Sequence, residues 1–545
     1  MKILVRKTLF ITISLFLSLL CTAQTKGKLP RLLYDNDGSE LLFNTFWNCA
    51  PLTLPTLDSL VDIQKNTPVT TYAMCSGSDF FYYRSRFGRL FGDDLNGKIA
   101  KGSNEALYQT LHGAYLNAQR LEKKGTDLLR ATLSRARQDG METMITFRVN
   151  DLHFADTALQ CPVAYSDWWL KHPQYWTHDE TQGWHSAGAY DFAHKEVRQR
   201  KLAVIKEQLD KYGDILDIYL LDYMRFFCYF KSGEGQNHTA EMTQFMHQIR
   251  QLVDKESRRR HHKILLAVRV APTLKDNLRN GLDVKEWLKD GLLDFISIGE
   301  HTRIDPNMPI RQLKKDLGPL LNIPLYASND CVVYAENEPV TEGMMRGFCS
   351  AALSKGADGI YLFNYFFNDY NRGRYHLEEG GQTCRVVHPR MLNQLGSLAT
   401  LEGLNKVYFL EDGHPQYGLR PNTPLPLQMQ QNSSKDVSIY VGDSLDRVRP
   451  KELILFFRTL HPADVAVTLN GSGALGLQPD YPHLYNRDVK MQVDDHEYAV
   501  ILPVSALRHG DNIIRFTASD GAKPFVIKRT ELALKYGDVA THGYF

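Results

Sequence analysis

The 545 residues carry no excess of either charge, with 64 Lys and Arg against 62 Asp and Glu. Nothing in that balance favours a nucleic-acid partner, because phosphate backbones are held by clustered cations. Regular cysteine spacing is also missing. Cys49, Cys75, Cys161, Cys228, Cys331, Cys349 and Cys384 form no Cys-x-x-Cys pair, so neither a zinc ribbon nor a disulfide framework is legible, although one or two incidental bridges stay open. There is no HExxH cluster for a metal, and His261-His262 belongs to a solvated basic run, Arg258 to Lys263. Ser76-Gly77-Ser78 lacks the glycine pattern of a nucleophile elbow, and no glycine-rich phosphate turn follows the first strand-like run. No cofactor and no metal are therefore expected. Internal repeats, low-complexity tracts and, beyond the N-terminus, apolar runs long enough to span a bilayer are absent as well. What remains, 43% apolar and 23% charged residues, is the composition of a chain that folds.

The first residues read as an export signal. Lys2, Arg6 and Lys7 precede an apolar run from Leu9 to Leu20, and Cys21-Thr22-Ala23 sets small residues at a cleavage site. The run is shorter than the roughly 17–25 residues of a membrane helix, so cleavage after Ala23 is expected rather than an anchor. Lipidation of Cys21 is a third reading, with the bulky Leu20 before it arguing against. Residues 1–23 are assigned as signal peptide, and the mature chain is expected in the periplasm, on the cell surface or outside the cell, without a membrane span.

From about residue 30 to 370, short β-branched or aromatic runs alternate with stretches of helical period, the pattern of a parallel sheet with crossover helices. Eight runs read as strands: Leu41 to Phe46 (with Leu32 to Tyr34), Val69 to Ala73, Thr143 to Val149, Ile215 to Leu221, Ile264 to Val270, Phe295 to Ile298, Pro324 to Ala327 and Gly359 to Phe363. Between them, Leu202, Ile205, Leu209 and Tyr212 form a helical stripe closed by Gly213, and Met242 to Val253 forms another. Asp283 caps a helix that Gly291 ends. The chain is therefore read as α/β, a (β/α)8 barrel over residues 30–400 with an open doubly wound sheet as the alternative. After Arg390 the texture turns to short strands set off by Gly, Pro, Asn and Asp: Ser438 to Val441, Leu453 to Phe457, Val465 to Leu469, Tyr498 to Leu502, Ile513 to Phe516 and Leu532 to Tyr536. A jelly-roll-like β-sandwich over residues 420–545 follows, joined through Pro421, Pro424 and Pro426.

In such barrels the chemistry sits at the C-terminal ends of the strands. Asp222 directly ends the run Ile218-Tyr219-Leu220-Leu221, and Glu300 follows Ile296-Ser297-Ile298-Gly299. Strands four and six are two apart, so these acids can face each other across the mouth as a nucleophile or base and a proton donor flanking a glycosidic bond. The competing structural reading is a salt bridge of either acid with Arg148, Arg225 or Arg269. Other strand-end groups are candidate sugar ligands: Trp47, Arg148, Asn150, Asp151, His153, Tyr223, Arg225, Arg269, His301, Asn329, Asp330, Asn364 and Tyr365. Asp330 is also an alternative acid, and Arg225 suits a carboxylate or sulfate on an acidic sugar. The run Phe80-Phe81-Tyr82-Tyr83 is read first as packing.

Five stretches in order also resemble the glycosyl-hydrolase-like family ten barrels: His172 to Trp176, Tyr190 to Arg198, Tyr212 to Arg225, Asp283 to Asp294 and Gly356 to Tyr365. The resemblance covers about residues 30–400. It implies a TIM-barrel glycosidase relative with its acid after strand four, where Asp222 falls, and α-galactosidase-like barrels place a proton donor after strand six, where Glu300 falls. The Asn-Glu signature of the large β-galactosidase and cellulase clan is missing, since strand four ends in Leu-Asp. In the C-terminal part, Val467 to Gly471 and Gly510 to Ile514 resemble pieces of galactose-binding-like jelly rolls, here read as bracing. Together these readings imply an exported, retaining glycoside hydrolase acting on a poly- or oligosaccharide, or else a non-catalytic glycan-binding protein on the same barrel. Sugar, linkage and oligomeric state are not legible.

Overall fold

The computed structural model describes residues 31–43, 51–93, 104–300, 304–330, 332–333, 338–364, 389–412, 417–419, 422–474, 478–479 and 494–537. The signal segment 1–23 lies outside them. Eight parallel strands close into a barrel in sequential order: β1 (Arg31–Asn36), β2 (Val69–Cys75), β3 (Glu142–Arg148), β4 (Ile218–Asp222), β5 (Leu265–Val270), β6 (Phe295–Ile298), β7 (Leu325–Asn329) and β8 (Gly359–Leu362), with β8 pairing back onto β1. The first strand is thus the Leu32 to Tyr34 run alone. Leu41 to Phe43 is not a strand but part of a short helix, Ser39–Phe43, whose Leu41 and Leu42 are buried, and the rest of that run, 44–46, lies outside the described residues. A short apolar run fits a buried helix turn and a strand equally well, and Asn36-Asp37-Gly38 before it supplies the turn.

Strand parity divides the core. Leu33, Ala73, Met144, Ile218, Leu220, Ala267, Phe295, Tyr326 and Tyr361 fill the barrel interior as a cluster of their own. Their neighbours Leu32, Ile145, Tyr219, Leu266, Ile296 and Ile360 point outward, into the larger core shared with the helices. At the N-terminal end Arg31 donates to both Glu142 oxygens at 2.9 Å and to the Tyr326 hydroxyl at 3.2 Å, which closes the bottom.

The helices α1 (Glu105–Glu122), α2 (Leu128–Gln138), α3 (Lys195–Tyr212), α4 (Thr239–Arg260), α5 (Val284–Lys289), α6 (Ile310–Leu317) and α7 (Glu342–Ser354) pack outside the strands. Asp283 caps α5 by accepting from the Glu286 amide at 3.1 Å, and Gly291 takes φ +65° just after it. Gly213 ends α3 for a different reason. Its φ is −59°, and a Cβ there would lie 2.7 Å from the Leu209 carbonyl oxygen, so close approach of backbone rather than a left-handed turn favours glycine. Among the described residues no helix is long and apolar enough to cross a membrane. Cys75, Cys161, Cys228 and Cys349 are free and buried.

The C-terminal part is a sandwich of antiparallel sheets. One sheet holds β9 (Lys406–Glu411), β12 (Glu452–Leu460), β14 (Asp495–Leu502) and β16 (Phe525–Lys535), with β10 (Leu427–Met429) on β16; the other holds β11 (Ser434–Val441), β13 (Val465–Leu469) and β15 (Gly510–Ala518). Their inner faces form a second core that includes Val437, Leu455, Phe457 and Phe516. The first of these strands begins ahead of residue 420. It packs on α7, where a Cβ on Gly347 would meet the Val407 carbonyl oxygen at 2.1 Å. At this contact Asp443 accepts from Lys406 Nζ at 2.7 Å and from the hydroxyls of Tyr408 and Tyr536. Gly347→Ala is therefore expected to force helix and strand apart and cost about 2 kcal/mol, read as a lower Tm; an unchanged melting curve would refute the close packing.

Candidate functional site

The inward parity continues to the strand ends and changes the barrel interior from apolar to charged. Asp35 on β1, Thr146 and Arg148 on β3, Asp222 on β4, Arg269 on β5 and Ser328 on β7 are all buried. Arg269 is the hub of one network. Its Nε donates to Ser328 Oγ at 2.9 Å, Nη1 to Asp222 Oδ1 and Oδ2 at 3.1 and 3.3 Å, and Nη2 to the main-chain oxygen of Glu300 at 2.8 Å. The guanidinium also lies 3.6 Å from the ring centre of Phe363. Asp222 Oδ1 further accepts from the amides of Met224 and Arg225 at 2.8 and 3.1 Å. Because β5 stands between β4 and β6, its arginine fills the gap that separates Asp222 from the Glu300 main chain.

Asp35 lies beside this network, accepting from the Tyr361 hydroxyl at 2.6 Å and the Thr146 hydroxyl at 3.4 Å. Burial pushes its carboxyl up to about 6; the Tyr361 bond opposes that, and the nearby Asp222 charge adds to it. The folded state therefore holds a proton that the unfolded chain has lost by pH 6. The resulting stability is complete at low pH and declines as pH rises from about 4 to about 6, by about 3 kcal/mol in all. Asp35→Asn is expected to flatten that part of the stability curve, measured by urea denaturation at pH 4.5 and 7; an unchanged slope would assign it elsewhere.

A second network runs from β3. Arg148 pairs with Asp37 and donates to Asp151 Oδ2 at 3.3 Å. Asp151 Oδ1 meets His153 Nδ1 at 2.5 Å, and His153 Nε2 meets Arg225 Nη2 at 2.7 Å. Burial works to raise the Asp151 carboxyl, yet His153, Arg148 and Arg225 hold it well below the usual carboxylate range. Burial lowers His153, against the pull of Asp151. With Arg225 donating to Nε2, the ring is neutral with its proton on Nδ1.

This network forms one wall of a cavity of about 180 Å³, whose polar lining includes Asp37, Asp79, Arg148, Asp151 and His153. Phe43, Phe80, Tyr82, Phe91, Phe154 and Trp169 supply its aromatic side. The Phe80 to Tyr83 run is split: Phe80 and Tyr82 line the cavity, whereas Phe81 and Tyr83 are buried in the core. Neither Asp222 nor Glu300 lines it, and they are 1% and 4% exposed.

Three of the residues read as sugar ligands do other work. Asn150 is fully buried and donates its amide to the carbonyls of Tyr190 and Cys228 at 3.1 and 2.7 Å, bracing two loops. Tyr223 points out of the barrel, its hydroxyl 3.2 Å from Met246 Sδ and its ring against Trp287. Asn329 likewise faces outward to Met345 Sδ at 2.8 Å. Both adjoin an inward residue, Asp222 and Ser328, so parity turns them away. Asp330 and Asn364 are buried at the ends of β7 and β8. Trp47, His301 and Tyr365 lie outside the described residues. Asp35 and Asp37 were missed because the first strand was placed too late; Asp35, two residues after inward Leu33, carries the parity signal that would have found it.

No family model matches the chain, and neither does any curated protein. Solved structures with a similar course include a cycloisomaltooligosaccharide glucanotransferase from Paenibacillus (9% identity, TM-score 0.33), with 93% of this chain covering 57% of that one. The glycoside hydrolase domain of PgaB (BpsB) from Bordetella bronchiseptica is similar at 11% identity and TM-score 0.38, covering 64% of this chain and 98% of the domain. An α-amylase from Geobacillus thermoleovorans matches at 12% identity and TM-score 0.35, over 89% of this chain and 98% of that one.

Proposed function

We propose that the chain is an exported glycoside hydrolase whose sugar site is the aromatic-walled cavity, with Asp222 and Glu300, which lie buried behind its Arg148 wall and do not line it, as the carboxylates assigned to catalysis. One observation carries this reading: Asp35, Arg148, Asp222 and Arg269, none more than 5% exposed, are gathered at the C-terminal end of a closed barrel. Stability does not ask for them, since apolar groups of similar volume replace buried ion pairs at little or no loss. Chemistry does. Asp222, fixed by Arg269 and two amides, serves as the anionic nucleophile, and Glu300 as proton donor, with Asp35 a second group that keeps a proton up to about pH 6. Aromatic faces suit the C–H side of a pyranose, while Asp37, Arg148 and Asp151 suit its hydroxyls.

The second reading, a glycan-binding protein without turnover, is favoured by the burial of Asp222 and Glu300 away from the cavity and by the Arg269 bridge. One experiment separates the two. The purified protein is incubated with a panel of plant, algal and host glycans and the products are read by mass, with the anomer of the first product followed by NMR. Products of retained configuration are expected; binding without product would install the second reading.

A further inference from the structure

Among the described residues the large apolar side chains exposed to solvent are scattered aliphatics, with one exception, Trp184 at 53% exposure. Single exposed aliphatics need no explanation; an exposed indole held in a fixed pose does. Trp184 is held. Its ring stacks on Phe226 with centroids 5.9 Å apart and planes 26° apart, and the Tyr417 hydroxyl donates to its carbonyl at 3.0 Å. Tyr417, which lies between β9 and β10 of the sandwich, also meets the Phe226 ring edge-on at 6.0 Å. The loop beneath is tied by Gln182 Nε2 to the Phe230 carbonyl at 2.8 Å and by Ser186 Oγ to the Asp179 carbonyl at 2.6 Å.

The platform is continuous with the cavity. His153, which lines it, lies edge-on to Phe226 at 4.9 Å and to Trp184 at 6.3 Å. Polar groups flank the indole, with His185 Nδ1 3.3 Å from Asp156 Oδ2. An aromatic face with hydrogen-bonding neighbours, beside a cavity with the same mixture, is chemistry for a pyranose and not for an apolar protein surface.

We propose that Trp184 is the stacking platform for a second sugar residue, so that the site takes a chain extending from the cavity across the rim rather than a lone monosaccharide. The proposal rests on the glycan reading of the cavity and does not depend on turnover. Because the indole is already fixed, little ordering entropy opposes the contact. The test measures binding of cello-, xylo-, malto-, chito- and galacturonide-oligosaccharide ladders of about two to six units to the full chain, to Trp184→Ala and to Trp184→Phe. For a ladder that binds, Trp184→Ala is expected to lose about tenfold in affinity for the longer members and little for the shortest, with Trp184→Phe restoring most of the loss. A loss equal at all lengths, or none, would overturn the platform alone. No binding of any ladder by the wild type would overturn it together with the glycan reading.

Discussion

Asp222→Asn is expected to lose about a thousandfold or more of the turnover on any glycan the wild type cleaves, while its circular dichroism stays native at 20 °C. The amide keeps an oxygen that can accept from the Met224 and Arg225 amides, so the turn after β4 survives. What it cannot keep is the charge. A neutral amide neither attacks an anomeric carbon nor offsets an oxocarbenium-like transition state. The substitution also strands the guanidinium of Arg269, so a stability loss of about 3 kcal/mol accompanies it, and rates are compared well below the variant's Tm. Glu300→Gln then discriminates between donors: a large loss on unactivated substrates places proton transfer at Glu300, and a small one moves it to Asp35. Undiminished hydrolysis by Asp222→Asn would remove this carboxylate from the mechanism.

The barrel was legible because its strands differ in kind from its helices. β-branched and aromatic runs such as Val69 to Ala73 and Phe295 to Ile298 have period two or are wholly apolar, whereas Leu202, Ile205 and Leu209 have the helical period. The site was legible only in part. Arg148 and Asp222 end their strands, Arg269 lies one residue before the end of β5, and the three share the inward parity and converge. Tyr223 and Asn329 stand at strand ends along the chain, but the alternation that puts Asp222 and Ser328 inside turns them outward. Trp184 gave no signal of either period, since its exposure is set by the distant partners Phe226 and Tyr417. The role of Arg269 was equally hidden: four contacts to β4, β6 and β7 depend on closure of the barrel.

That closure gives Arg269→Met the largest expected effect on stability. Methionine fills most of the volume and keeps the contact with Phe363, but Asp222 is left as a buried anion held only by amides. Truncating one partner of such a pair costs about 3–5 kcal/mol, chiefly through the charge that stays behind. The Ser328 hydroxyl and the Glu300 carbonyl lose their donor as well. A double-mutant cycle isolates the pair: Asp222→Asn with Arg269→Met should be more stable than the two single losses add up to, by about 2 kcal/mol or more. Additive losses would mean that the two charges are not each other's compensation and would remove the ground for assigning the pair to chemistry.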